Sequence, residues 1–416
     1  MAAFLTRAFP AGGFLRNAAG LAGASVAAQA IGLLAAPLIT RLYAPAELGA
    51  LALFTAAAGL LGIVAGGRWH LAFAAAPRPD RAALMALTIL VAVVGAGVLT
   101  VLVFPLGPWL AVEVGTARAF WAWLAPLGGA LAAINLAARW LAVAEGRNAA
   151  AGRAMVLRPA VAALAQIGAG ALGADELGLI LGALAGWLVA DTALLLGQPL
   201  LATRAALSGV LRQYRAYPAQ ALPAALASHA VVVLPEFYIA AHHGATSLGY
   251  YAVVVRLLAA PVIAFSEAVS ALWWRRAARQ ATPGPTMLRL FDRLLLGLGI
   301  PAALGALLVM IEGPDIFALV LGEAWRTAGA MARYLAVYHA LRLVSAPVLQ
   351  TGAALGKLTP ATLWNATDLA LAVFACGAGL ALDMSLANWL MLFGGLGAAS
   401  RAGAIVLMRQ QAAGRL

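Results

Sequence analysis

The sequence predicts an all-α polytopic membrane protein with about twelve transmembrane helices. Three observations support this fold class: the composition, the length of the apolar runs and the distribution of basic residues. Of the 416 residues, 64% are hydrophobic and 10% are charged, and the mean hydropathy is +0.94. A soluble chain carries about 25% charged residues. Because a soluble chain of this size could not hide so much apolar surface from water, the composition indicates a lipid environment.

The apolar runs are long enough to span a bilayer, which takes about 20 apolar residues per helix. The first run continues too far for a cleaved signal peptide and is interpreted as an uncleaved first span. The connections are short, the longest being 201–217 and 274–288, which leaves no room for an extramembrane domain. The predicted spans are 15–40, 47–66, 84–110, 118–143, 153–173, 177–200, 218–241, 247–273, 289–311, 326–355, 359–382 and 386–408.

Basic residues set the predicted orientation. With the N-terminus in the cytoplasm, the inside segments hold nineteen of the 27 Lys and Arg residues, Arg158 among them, and the outside turns hold Arg41, Arg118 and Arg326. Because basic residues concentrate in cytoplasmic loops, both termini are predicted to be cytoplasmic. The net charge of +12 follows from the same bias, so nucleic acid is not predicted as a partner.

The two halves of the chain resemble each other faintly. Residues 45–52 (PAELGALA) precede 245–252 (ATSLGYYA) by 200 positions, and Gly146-Arg147 precedes Gly356-Lys357 by 210. Gly168-Ala169-Gly170 precedes Gly377-Ala378-Gly379 by 209. We interpret these echoes as a duplication: an N-terminal six-helix lobe (1–200), a cytoplasmic linker (201–217) and a C-terminal six-helix lobe (218–416). Parallel repeats of this kind are related by a pseudo-two-fold axis along the membrane normal, with the substrate site between them.

Arginines inside spans are the first candidates for function, because a charge at a helix centre costs about 2.5–3.5 kcal/mol and usually faces a cavity or a partner. Arg256 lies nine residues into the eighth span, roughly 13 Å deep at 1.5 Å per residue. Arg342 shares a helix face with Tyr334, Tyr338 and His339, a stripe that could hold phosphate and sugar rings. A buried ion pair and a packed helix seam are the alternatives. The substrate-binding candidates are Arg256, Arg342, Arg139, Arg333, Tyr334 and Tyr338.

Carboxylates inside spans could neutralise these arginines or exchange an ion. Asp368, Asp191 and Glu267 are the candidates for ion or proton coupling, and Glu236 lies nearer a span end. Two further arginines receive structural interpretations. Arg401 is interpreted as an interfacial residue of the last span. Arg41 is expected to fix the first outer turn or to meet lipid headgroups.

Enzyme chemistry finds little support in the sequence. The five histidines are scattered without metal-ligand spacing, Cys376 is the only cysteine, and no P-loop pattern occurs. A membrane-embedded oligosaccharide polymerase or ligase is the rival from another class. It would need a large outside loop, for which the hydropathy leaves no room. We therefore expect no enzyme activity, no metal and no cofactor beyond a coupling H⁺ or Na⁺.

The stretch Pro37–Phe54, reading PLITRLYAPAELGALALF, resembles a turn typical of the Wzx-like polysaccharide flippases of the multidrug/oligosaccharidyl-lipid/polysaccharide (MOP) superfamily. Leu248–Pro261 is similar to their GYYA…RLL…P helix. Arg68–Phe73 corresponds to a segment where such proteins carry an acidic residue at the position of His70.

This resemblance implies a flippase of the bacterial inner membrane. It would move an oligosaccharide linked to undecaprenyl pyrophosphate by alternating access, with ion coupling and a cationic central cavity. Membrane lipids and other polysaccharide assembly proteins are the implied partners. Another exporter of the same superfamily, for a drug or a peptidoglycan precursor, stays open as an alternative.

Overall fold

The computed structural model describes residues 11–103, 105, 120–200, 202–280, 282–355 and 359–415. In these ranges the chain is helical and contains no strand. The α-helices are α1 (Ala11–Leu42), α2 (Pro45–Gly66), α3 (Arg78–Val103), α4 (Phe120–Ala144), α5 (Asn148–Ala171), α6 (Glu176–Leu195), α7 (Arg204–Tyr214), α8 (Ala216–Gln280), α9 (Pro285–Leu321), α10 (Arg326–Val348), α11 (Gln350–Ala354), α12 (Thr359–Ala381) and α13 (Leu386–Ala412). Two 3-10 helices, Trp69–Ala74 and Glu323–Trp325, precede α3 and α10.

The predicted all-α membrane class is confirmed. Within the described ranges, nine helices are long and apolar enough to cross a membrane, and each of the twelve predicted spans overlaps a helix. Helix α8 contains the seventh and eighth predicted spans. These are separated by Gly244, whose φ of 78° and ψ of 171° interrupt the helix. Glycine adopts positive φ without the Cβ clash that penalises other residues, so the connection needs no longer loop.

Three segments differ from the prediction. The linker 201–217 contains helix α7, because Thr203 caps its N-terminus by accepting a hydrogen bond from the Ala206 amide. The predicted ninth span is too short, since α9 continues through the predicted outer turn to Leu321. The predicted tenth span is divided, because α10 ends one residue after Pro347 and the short α11 follows.

By its contacts the chain divides into two compact units. The first unit contains Met1–Tyr43 and Ala50–His229, and the second contains Ala44–Gly49 and Ala230–Leu416. In the first unit α1 packs on α5, α3 on α4, and α6 on both α4 and α5. In the second unit α10 packs on α9 and α13, and α12 packs on α13. These units are groups of contacts, so the lobe limits 1–200 and 218–416 stay a prediction.

The 200-residue echo corresponds to a physical contact inside the second unit. A Cβ atom on Gly49 would clash with the carbonyl oxygen of Ala245, and a Cβ atom on Gly249 would clash with that of Pro45. Both positions therefore exclude any larger residue. The contact is reciprocal, as at an interface between symmetry-related copies, and this supports the duplication.

The echo near residue 170 has a different register in the structure. The turn between α5 and α6 and the turn between α12 and α13 share their backbone pattern at a shift of 210 residues, one more than the glycine echo indicates. Asp383 takes the positive-φ position that Gly173 occupies in the first turn, which is why matching glycines alone misplaces the register. The pairs with the same hydrogen bond, cap or backbone role are Leu172 and Leu382, Gly173 and Asp383, Ala174 and Met384, and Asp175 and Ser385.

Candidate functional site

The first unit contains a polar cluster formed by α4, α5 and α6. The Asn135 side-chain amide donates a 2.8 Å hydrogen bond to Oδ1 of Asp191, which is only 4% exposed. The Arg139 guanidinium, one turn further along α4, donates to the Asn135 side-chain oxygen at 3.1 Å. Oδ2 of Asp191 is buried and has no hydrogen-bond partner among the described residues. A buried carboxylate oxygen without a partner is costly, so this position is a site where a proton or a cation would be stabilised.

Arg158 completes this cluster from α5. Arg139, Arg158 and Asp191 lie within electrostatic range of one another. The assignment of Arg158 to the cytoplasmic edge is therefore corrected: it lies ten residues into α5, roughly 15 Å along the helix. Two arginines face one carboxylate here, which leaves this part of the first unit with excess positive charge.

The second unit holds a closed ion pair between α12 and α13. The Arg401 guanidinium donates to Oδ2 of Asp368, and the Ser400 hydroxyl donates to Oδ1 at 2.9 Å. The two charged side chains are only 15% and 12% exposed. The interfacial interpretation of Arg401 is wrong, because this arginine turns toward α12 and neutralises Asp368. Both oxygens of Asp368 are thus occupied from within the protein.

The two clusters use equivalent positions with opposite charges. The shift of 210 residues that relates the two turns also relates Arg158 to Asp368 and Asp191 to Arg401. In the first unit the cation is on the fifth helix of the repeat and the carboxylate on the sixth, whereas the second unit has the reverse order. Only the second unit closes the pair with a direct hydrogen bond among the described residues.

A second polar group of the second unit surrounds Tyr251, which is buried in α8. Glu236, Tyr338 and Arg342 lie within electrostatic range of it. His339 is also buried, and Arg342 lies within electrostatic range of it. The structure therefore places Arg342 near polar groups from two helices, α8 and α10. A substrate-binding role for the stripe on the tenth span stays a prediction.

Comparisons with known proteins bear on the fold. A MATE-family multidrug resistance transporter of the MOP superfamily, in an inward-facing conformation, superposes with a TM-score of 0.64 at 14% identity, covering 95% of this chain and 94% of that one. The lipid II flippase MurJ, in an inward closed conformation, superposes with a TM-score of 0.69 at 10% identity, covering 94% and 89%. A MOP superfamily transporter from Pyrococcus furiosus gives a TM-score of 0.59 at 12% identity and 95% coverage of both chains.

The chain has the same fold as these three compared structures. The coverage extends over nearly all of each compared chain, so the likeness concerns the whole architecture. No protein-family model matches the sequence, and the search of curated proteins found no match. At 10–14% identity the likeness shows the fold alone.

The remaining candidates occupy less enclosed places in the structure. Arg256 is exposed. Arg333 is also exposed and donates a 2.8 Å hydrogen bond to the Ile311 carbonyl of α9. Tyr334 is 37% exposed, whereas Tyr338 packs against His339 and Phe393. Glu267 lies outside the described side chains.

Sequence reasoning missed Arg158, Ser400 and Arg401 as members of these clusters. A signal was available: Arg158 and Asp368 are related by the same 210-residue shift as Gly146 and Gly356, as are Asp191 and Arg401. Among the described residues, no group of three His, Cys, Asp or Glu lies close enough to hold a metal ion.

Proposed function

We propose that this protein is a transporter that flips a lipid-linked oligosaccharide across the bacterial inner membrane. The carrier is an undecaprenyl pyrophosphate, and transport proceeds by alternating access. The observation that carries the proposal is the excess of arginine in the first-unit cluster, where Arg139 and Arg158 face Asp191 alone. A diphosphate must lose its water shell to cross the bilayer, and arginine offers fixed pairs of donors that fit phosphate oxygens.

The charge of the site distinguishes this proposal from its rivals within the superfamily. A cationic drug would be repelled by two arginines beside one carboxylate, whereas an anionic head group would be attracted. A peptidoglycan precursor also carries a diphosphate and remains the second candidate. The structural likeness to the lipid II flippase MurJ favours it. A transporter is favoured over an enzyme because the compared proteins with this fold are transporters and a flippase.

Export by a deletion strain that expresses variants tests the proposal. Arg139→Gln, Arg158→Gln and Arg342→Gln are each expected to reduce surface polysaccharide and to make lipid-linked glycan accumulate inside. Arg212→Gln, which removes an exposed arginine of α7, is the matched control and should export as wild type does. Full export by the Arg139, Arg158 and Arg342 variants at normal protein levels contradicts the proposal.

We further propose that Asp191 is the residue that couples transport to an H⁺ or Na⁺ gradient. Its Oδ2 atom is buried without a partner, while both oxygens of Asp368 receive hydrogen bonds from Arg401 and Ser400. Asp191→Asn keeps the shape of the side chain and its link to Asn135 but removes the charge. It should abolish the ion dependence of transport measured in proteoliposomes. Unchanged ion dependence would exclude Asp191 from this role.

The predicted orientation belongs to the same proposal. Cytoplasmic N- and C-termini follow from the charge bias and agree with an even number of spans. A reporter fused after Leu416 should therefore report the cytoplasm. A periplasmic signal would mean that the number of spans is odd.

A further inference from the structure

A small cavity of the first unit carries a feature that neither polar cluster explains. Its volume is about 110 Å³. On one side it is lined by Gly59, Gly62 and Gly66 of α2, and on the other by Ala132, Ala133 and Leu136 of α4. The polar lining comes from Arg68, which directly precedes the first 3-10 helix, and from His70, the second residue of that helix. The cavity thus has an apolar wall and a basic end.

Helix α2 packs closely on α4 beside this cavity. A Cβ atom on Gly62 would lie 2.7 Å from the carbonyl oxygen of Gly129, and one on Gly66 would lie 2.7 Å from Cβ of Ala133. The helices therefore meet at their glycines, and a larger residue at Gly62 or Gly66 would not fit. A space of this volume has room for several water molecules or one phosphate group.

Arg68 is held in an unusual conformation at the end of the cavity. Its φ of 59° and ψ of 19° lie in the left-handed region, directly after Gly67 at φ 55°. A residue with a Cβ atom rarely adopts this conformation, and such strain concentrates at functional sites. The fold thus keeps an arginine where glycine would fit more easily.

The charge of Arg68 is not compensated inside the cavity. Its Nε atom is buried and no described residue accepts a hydrogen bond from it. Among the described residues, no carboxylate lines the cavity. His70 is 4% exposed, packs against Trp140 with ring centroids 5.6 Å apart, and lies within electrostatic range of Arg68 and Arg139. A buried donor on a cation, beside a cavity without an acid, requires an anion or water as its partner.

We propose that this cavity is an anion site in which Arg68 and His70 receive a phosphate or diphosphate group. The assignment to the head group of a lipid-linked substrate rests on the proposed function, whereas the anion site itself does not. Because Arg139 lies within electrostatic range of His70, the cavity adjoins the first-unit cluster. The anion would meet Arg68 first and the pair Arg139 and Arg158 next.

Binding of sodium pyrophosphate to the purified full-length protein, measured by calorimetry at fixed ionic strength, tests the site. Arg68→Gln removes the cation, and Arg68→Gly removes it while relieving the left-handed strain, so that variant stays folded. Both should bind pyrophosphate about tenfold or more weakly, as expected for loss of a charged hydrogen bond. Arg78→Gln, at an exposed arginine ten residues further along, is the matched control and should bind as wild type does.

Two results would overturn the site: undiminished binding by Arg68→Gly, or an equal loss in Arg78→Gln. Ala132→Leu fills the cavity without changing charge and should weaken binding as well. Full binding by that variant would place the anion elsewhere and overturn the proposal.

Competition separates the two sources of phosphate. Undecaprenyl diphosphate in nanodiscs of zwitterionic lipid should displace pyrophosphate. If it does not, the site takes a free anion, and the assignment to the substrate head group is overturned. If pyrophosphate binding depends on Arg68 but deletion of the protein leaves export intact, the proposed function is refuted and the anion site is supported. Export that depends on Arg139, together with binding that ignores Arg68, would refute the site and keep the function.

Discussion

The closed ion pair of the second unit and the open cluster of the first unit use the same positions of a repeated fold in opposite ways. Asp368 receives hydrogen bonds from Arg401 and Ser400, so its charge is balanced within the protein. Among the described residues, Asp191 receives one hydrogen bond, from Asn135, and keeps an unpartnered oxygen beside two arginines. A closed pair resists change because either partner alone would be a buried, uncompensated charge. An open cluster can change its occupant, which suits a site that binds and releases an ion or an anionic head group.

Breaking the closed pair should have the largest effect. Arg401→Gln leaves Asp368 buried without its cation and is expected to destabilise the protein by about 3–5 kcal/mol. Arg158→Gln, at the equivalent position of opposite polarity, removes a cation that closes no direct pair and should lower the melting temperature far less. Thermal unfolding of both variants in detergent measures the difference. Equal shifts would show that the two units do not differ as described.

The pH dependence of the free energy of unfolding tests how strongly burial and the neighbouring arginines keep His70 neutral. Burial, followed by the charges of Arg68 and Arg139, lowers the pKa of His70 to about 4. Below its usual pKa of 6.5 the unfolded chain takes up a proton that the folded protein refuses, so stability should fall between pH 6.5 and about 4. The loss attributable to His70 is at most about 3 kcal/mol.

His70→Asn is the variant for this comparison. It should flatten the pH dependence of the melting temperature over that window, while leaving the temperature near pH 8 less affected. A variant that follows the wild-type curve would show that His70 is not held neutral by its neighbours.

The smallest effect is expected for one side-chain contact in each unit, at the end that is predicted to be cytoplasmic. In the first unit the Tyr214 hydroxyl of α7 donates a 2.9 Å hydrogen bond to Asp80, and burial, with this bond, raises the pKa of Tyr214. In the second unit Arg409 donates two hydrogen bonds to Asp292, at 2.8 and 3.0 Å. Tyr214→Phe should cost about 1 kcal/mol, and the cost should not depend on salt.

The Arg409 pair supplies the contrast. Because both of its side chains are partly exposed, added salt should screen it, and the effect of Arg409→Gln on the melting temperature should shrink as ionic strength rises. If Tyr214→Phe showed the same salt dependence, the contrast between a hydroxyl–carboxylate hydrogen bond and an ion pair would be refuted.

The helical architecture was predictable because it depends on local composition. Runs of about 20 apolar residues can satisfy their backbone in lipid only as helices, so each predicted span overlaps an observed helix. The predicted ends of the spans were wrong where composition gives no signal. Helix α9 continues past Glu312 and Asp315, where acidic residues suggested a turn, and its end is held by Arg326 bonding to Glu323 and Asp315.

The candidate site was predictable in part. Depth in a span singled out Arg139, Asp191 and Asp368, and the structure places each of them in a polar cluster. Their roles in transport stay predictions. The same rule did not select Arg158 and Arg401. It measured their depth from predicted span ends that differ by several residues from the ends of α5 and α13. It could not select Arg68, since that arginine lies in a connection and only the fold half-buries it beside the cavity.

The sequence by itself determined that this chain is an all-α membrane protein, because the length of each apolar run depends on local composition alone. The repeated arrangement stays a prediction from the echoes. Only the tertiary structure decided which charges meet. The same two charge types occur at equivalent positions of both units, yet one pair closes and the other stays open. Asn135 of α4 bonds to Asp191 of α6, and Ser400 of α13 bonds to Asp368 of α12. No local sequence pattern records such contacts between helices.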